Sequence, residues 1–310
     1  MLVSSLRHAE GPPTNVTVMS DATTLFSTVL VVGAGTMGKG LARLLLKHGL
    51  TVVLSDVDED VLTAVADDLD SPRLRTTTNW AASVGDVDLA IETASEQPAV
   101  KEAVMRALGE ALPPHVVIAS NTSSFPVSQL ASYVASPERM LCLHFFNPPD
   151  VVRLVEVQGH NGTDPAIVAR CIAWLTALGS HPVQIHKERT GFVANRLQAA
   201  LLTEAVALVS EGVVSAAELD DIVTTSIGPR WAAVGPLSVA DLGGLHVFAS
   251  LMGRMADSMA SHSDVAAIVQ RLADEGKLGA RTGEGFHTYD DAGAAKRAKV
   301  LDTVTRLAAD

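Results

Sequence analysis

Residues 28–49 read TVLVVGAGTMGKGLARLLLKHG. The run opens with five β-branched or apolar residues, passes through GAGTMGKG, and continues with apolar residues at helical spacing until it stops on Gly49. This order is a strand, a tight turn and a helix. Gly33, Gly35 and Gly38 supply the pattern G-x-G-x-x-G at the junction. Gly33 suits the turn, Gly35 lets backbone approach a pyrophosphate, and Gly38 allows close helix–strand packing. The helix N-terminus adds N–H donors and a positive dipole end.

The next strand, TVVLSD, ends on Asp56, 18 residues past Gly38. A carboxylate there accepts hydrogen bonds from a ribose diol and repels a 2′-phosphate, and no arginine directly follows it. NAD rather than NADP is therefore the expected cofactor, bound by Gly33, Gly35, Thr36, Met37, Gly38 and Asp56. Lys39 is unusual company for a diphosphate and is expected to point to solvent.

The same alternation extends along the first half. EDVLTAVADDL and QPAVKEAVMRALGEAL read as helices, and VDLAIE, HVVIAS, MLCLHFF and RLVEVQ read as short strands. Strands alternating with helices imply a Rossmann-type, doubly wound, mostly parallel sheet. After HPVQIHKERTG the periodicity turns helical almost throughout. The expected division is a disordered tail over 1–24, an NAD-binding domain over 25–188, and an all-helical substrate and dimerisation domain over 189–310. The segment AALLTEAVALV, 199–209, is apolar around much of its circumference, as befits a bundle centre or a subunit interface.

Composition narrows the partners. The 310 residues carry a net charge of −12, which disfavours a polyanion such as nucleic acid. No run reaches the roughly 20 apolar residues of a membrane span. The first 20 residues lack the apolar region of a signal peptide, and the cytoplasm is the expected location. Cys142 and Cys171 lie in apolar segments without metal-ligand spacing, so neither a disulfide framework nor a metal site is expected.

Chemistry is concentrated in LHFFNPPDVVRLVEV, 143–157. Removing a hydride from an alcohol requires a base for the hydroxyl proton, and histidine titrates nearest neutrality. His144 is the candidate, and Glu156 can orient it if the two strands pair. A core histidine satisfied by a backbone carbonyl is the competing reading. The polar run SNTSS, 120–124, follows a strand at the end where open α/β sheets bind ligands.

GAGTMG, SNTSS, LHFFNPP with LVEV, TGFVANR and GARTGEGFHTY, in that order over residues 28–289, resemble the L-3-hydroxyacyl-CoA dehydrogenase family, close to its 3-hydroxybutyryl-CoA members. The resemblance implies interconversion of a 3-hydroxyacyl and a 3-oxoacyl group by an NAD-dependent homodimer. Its active site would lie between an NAD-binding and a helical domain. It also implies that His144 is the base, that Glu156 orients it, and that Ser123 and Asn195 bind the substrate's oxygens. Asn147 would shape the site, and Glu92 would lie near the nicotinamide ribose.

The pattern departs from the family twice. Acyl-CoA members carry a long helical hairpin after the acidic residue of the second strand, yet Asp56 and Glu92 are only 36 positions apart. Arg230, in SIGPRWAAVG, resembles relatives that oxidise compact β-hydroxy acids such as gulonate and carnitine. It can clamp a carboxylate, cap a helix, or pair with Asp220 or Asp241. The acyl group can thus be on CoA, on a carrier protein or free, and a non-catalytic NAD-binding protein is the alternative from another class.

Overall fold

In the computed structural model Asp21 caps a single helical turn, α1 (Ala22–Leu25), its carboxylate accepting from the Thr23 N–H. The structure describes residues 21–82, 84–255, 257–280, 282–289, 299, 300, 302, 303 and 305. Residues 1–20 of the expected tail lie outside them. Residues 21–24 correct that expectation: Ala22 is buried, and Phe26 just beyond packs edge-on against Trp174, with the Arg170 guanidinium over its ring. Two buried apolar groups and a cap suffice to order the segment.

From there the chain alternates as its pattern requires. β1 (Thr28–Val32), α2 (Thr36–Lys47), β2 (Thr51–Ser55), α3 (Glu59–Leu69), β3 (Leu74–Thr77), β4 (Leu89–Glu92), α4 (Pro98–Ala111) and β5 (Val117–Ser120) come first. α5 (Val127–Ala131), β6 (Met140–Phe145), β7 (Leu154–Gly159), α6 (Pro165–Ala177) and β8 (His181–Gln184) follow. One sheet results, in the order β3-β2-β1-β4-β5-β6-β7-β8. All pairs are parallel except β6 with β7. Strands β1, β4 and β5 are buried along their whole length, as strands covered by helices on both faces must be. The order reverses between β1 and β4, and the carboxyl ends of these strands form the crevice where such sheets bind ligands.

The described chain divides into two compact units. One runs to Thr122 and resumes at Val127–His186, and the other comprises Ser123–Pro126 and the chain from Lys187. The second unit is built from α7 (Ala194–Ser210), α8 (Ala216–Ile222), a π-helical turn (Val223–Ile227), α9 (Gly228–Val234), α10 (Pro236–Gly243), α11 (Leu245–Met255) and α12 (His262–Asp274). Short antiparallel bridges, Gly279 with Glu284 and Glu284 with Thr288, close its GARTGEGFHTY loop. No helix among the described residues is long and apolar enough to cross a membrane.

Candidate active site

The glycine turn is set by what a side chain would strike. Gly33 adopts φ +109°, and a Cβ there would lie 2.8 Å from the Thr93 backbone. A Cβ on Gly38 would stand 1.7 Å from the Gly33 carbonyl oxygen, so α2 packs where only glycine fits. Gly35 is different, with open space around its missing Cβ at the N-terminus of α2. That opening over the first N–H groups of a 12-residue helix fits a pyrophosphate. The Asp56 carboxylate holds the turn in place, accepting from the Ala34 N–H at 2.6 Å and the Asp58 N–H at 3.1 Å. Lys39 turns from the turn to Asp68, 3.2 Å away, and Arg43 shares that carboxylate at 2.8 Å. These groups fit NAD.

β6 and β7 place His144 directly opposite Glu156 in antiparallel register. The imidazole Nδ1 lies 2.9 Å from Glu156 Oε2, and both side chains are buried. A carboxylate on Nδ1 leaves Nε2 as the nitrogen able to exchange a proton with a ligand. The Phe146 ring lies 4.5 Å from the imidazole, centre to centre. Asn147 follows on an exposed loop and precedes a cis bond to Pro148. That loop rests on the cofactor helix, because a Cβ on Gly40 would meet the Pro149 ring at 2.7 Å.

Glu92 ends β4. Its side chain is fully enclosed and accepts from Lys101 Nζ at 2.8 and 3.0 Å, from the Ala94 N–H at 2.6 Å and from the Ser120 hydroxyl at 2.6 Å. These partners occupy Glu92 within the protein, at the strand end that the resemblance places near the nicotinamide ribose. Lys101 also reaches Glu96 at 2.8 Å, and Glu96, with a side chain 38% exposed, accepts from the Thr122 hydroxyl at 2.6 Å. Lys101, Glu96 and Asn121 were not singled out from the sequence. Lys101 left a trace there, standing in step with Met105 and Leu108, which are buried on the inward stripe of α4.

Two family comparisons cover this architecture. Residues 28–189 match the 3-hydroxyacyl-CoA dehydrogenase NAD-binding domain, and residues 191–289 match its C-terminal domain. The chain belongs to the 3-hydroxyacyl-CoA dehydrogenase family. As such it is an NAD-dependent oxidoreductase. It is 33% identical to the 5-formyl-3-hydroxy-2-methylpyridine 4-carboxylate 5-dehydrogenase of Mesorhizobium japonicum, over 91% of this chain and 98% of that protein. It is 32% identical to the 3-hydroxybutyryl-CoA dehydrogenase of Mycobacterium tuberculosis, over 87% of this chain and all of that one. A crystal structure described as that same pyridine carboxylate dehydrogenase, an NAD+ dependent dismutase, superposes with a TM-score of 0.83 at 30% identity. The match covers 91% of this chain and 97% of the other.

Within this 3-hydroxyacyl-CoA dehydrogenase family fold, the interval from Asp56 to Glu92 contains α3, a helix of 11 residues, and β3, a strand of four. Its described residues contain no helical hairpin. In the helical unit, Gly191 and Phe192 both take positive φ, +78° and +52°, and Phe192 is buried. A bulky residue in that region is uncommon and is held by its surroundings. The bend delivers Asn195 at the start of α7, where its amide nitrogen reaches the Ser123 carbonyl oxygen at 3.5 Å. Arg230 folds back on its own helix, donating to the Ser226 carbonyl at 3.0 Å and to the Ser226 hydroxyl at 3.0 Å. Asp220 pairs with His287 at 2.9 Å. Burial raises the Cys171 thiol to about 12 and pushes Cys142 well above its usual range, with the Glu92 charge adding to the latter. Both stay protonated. Among the described residues no group of three His, Cys, Asp or Glu side chains is placed to hold a metal.

Proposed function

We propose that the protein interconverts a compact β-hydroxy acid and its β-oxo acid, free rather than carried on coenzyme A. The observation that carries this reading is the short interval from Asp56 to Glu92, where one α-helix, one four-residue strand and a 3-10 turn (Trp80–Ala82) precede β4 and acyl-CoA members carry a long hairpin. The Mesorhizobium relative, named for a pyridine carboxylate, supports it. When bound, NAD+ supplies the acceptor for the hydride leaving the carbinol carbon. His144 takes the hydroxyl proton on Nε2, and Glu156 holds the imidazole from the other side and stabilises its charge. Ser123 and Asn195 bind the substrate's oxygens, and Asn147 shapes the wall beside His144. Arg230 supplies a cation for the carboxylate. Glu92 lies near the nicotinamide ribose, and Glu96 is a second carboxylate facing the cofactor crevice.

The active species is a homodimer formed through the helical unit, which exposes Leu237, Leu242, Leu245, Met252 and Met259. Two buried, protonated thiols suit the reducing cytoplasm.

The test is a panel assayed with NADH by loss of absorbance at the reduced-nicotinamide band. It compares free 3-oxo acids, formyl pyridine carboxylates, acetoacetyl-CoA and the acetoacetyl group on a carrier protein. Free acids should exceed both thioesters in kcat/KM by about tenfold or more. A preference for acetoacetyl-CoA would return the protein to acyl-CoA chemistry.

A further inference from the structure

The parallel ladder between β5 and β6 pairs Ile118 with Met140, Ala119 with Leu141 and Ser120 with Cys142, and ends there. β6 continues through Leu143, His144 and Phe145 with β7 along one side. On the other side the Phe145 N–H is taken up by a side chain, Asn121 Oδ1, at 2.8 Å. The Asn121 N–H in turn donates to the Glu92 carbonyl on β4 at 2.8 Å. One residue therefore ties the ends of β4 and β6 together, and its side chain replaces the missing strand beside the residue after His144.

A closed ring of side chains frames Asn121. Ser120 Oγ donates to Glu92 and accepts the Thr122 N–H at 3.1 Å. The Thr122 hydroxyl donates to Glu96, Lys101 bridges Glu96 and Glu92, and the circuit returns to Ser120. Lys101 is 1% exposed and Glu92 fully buried. A buried ion pair contributes little net stability, because desolvation offsets its attraction, but it tolerates few alternative geometries. Residues on both sides of Asn121 are thus fixed, and the Cys142 thiol adds a contact to the Thr122 carbonyl at 3.6 Å.

We infer that Asn121 is a positioning residue for His144. It pins the end of β6 so that the imidazole keeps its alignment, and the ring of Glu92, Lys101, Glu96, Ser120 and Thr122 keeps Asn121 still. This rests on the reading of His144 as the base. Glu156 sets the ring nitrogen from β7, and Asn121 sets the backbone from the β5 side, so the histidine is held from two directions.

The experiment compares Asn121→Ala, Asn121→Asp and His144→Ala. Aspartate keeps an acceptor for the Phe145 N–H and alanine does not. Asn121→Ala should lower kcat about 10- to 100-fold, the scale of a misplaced catalytic group. Its substrate KM should stay within about threefold, and Asn121→Asp should recover kcat to within about threefold of the parent. The His144 imidazole resonance, identified by its disappearance in His144→Ala, should shift or broaden in Asn121→Ala and return in Asn121→Asp. Turnover persisting in His144→Ala overturns the base assignment and the positioning role with it. An inactive His144→Ala beside an undiminished Asn121→Ala, or an Asn121→Asp as impaired as the alanine, overturns the positioning role alone. The pair Glu92→Gln with Lys101→Met removes the ring's buried ion pair and should reduce kcat in the same way. Retained kcat there removes the ring from the inference.

Discussion

The sheet-containing unit closes over its apolar side chains, whereas the helical unit leaves many of its own in solvent. In the first, one continuous cluster runs from Phe26 through β1, β2, β4 and β6 to Trp174 and Leu175. In the second, the described buried apolar cluster is Val206, Ala207 and Val265, with Ala260 and Ile268 packed against it. Leu237 and Leu242 are each 81% exposed. Apolar side chains left this exposed are the kind an interface would cover. Under the proposed homodimer, stability of the single chain would rest on the first unit and association on the second.

The largest effect that sharpens this contrast is expected inside the first unit. Lys101→Met leaves Glu92 buried without its cation, and should cost about 3–5 kcal/mol in urea unfolding while leaving association intact. An equal loss in both properties would mean that the units do not divide stability and assembly between them.

A smaller effect belongs to the helical unit. Leu237→Glu with Leu242→Glu should raise the dimer dissociation constant by about 30-fold or more, roughly 2 kcal/mol, read by light scattering across micromolar dilution. A parent protein that is already a monomer at those concentrations removes the dimer from the proposal.

The smallest test applies one substitution to both units. Gly253 lies in α11 with nothing within 4 Å of an added Cβ, so alanine should stabilise by up to about 1 kcal/mol through helix propensity. The same change at Gly40 drives a methyl into the Pro149 ring and should cost about 1–3 kcal/mol through overpacking, less the propensity gain. Like signs at the two positions in thermal unfolding would dissolve the distinction.

The buried strands announced themselves because each is a short apolar run between turns. β3 and β8 did not. β3 alternates Leu74 with exposed Arg75, and β8 contains Pro182 and exposed His181 and Gln184, so each edge strand lacks an apolar run. The His144–Glu156 contact was legible once the two strands were taken as neighbours, since antiparallel register fixes who stands opposite whom. The role of Glu92 was not legible, because its partner stands nine residues later on a different element. A lysine on a helix is usually solvated. Reading Lys101 as part of the inward stripe with Met105 and Leu108 would have revealed a buried cation in need of a carboxylate.

The two sulfurs carry a last consequence. Cys142 sits on β6 two residues before His144, yet its thiol is enclosed and donates to the Thr122 carbonyl. Cys171 is closed inside α6, and the chain contains no other cysteine. Oxidants and alkylating agents react with exposed thiolates, and the folded protein offers none. The sheet-containing unit is redox-silent, placing no nucleophilic sulfur within reach of the peroxides or electrophiles around it.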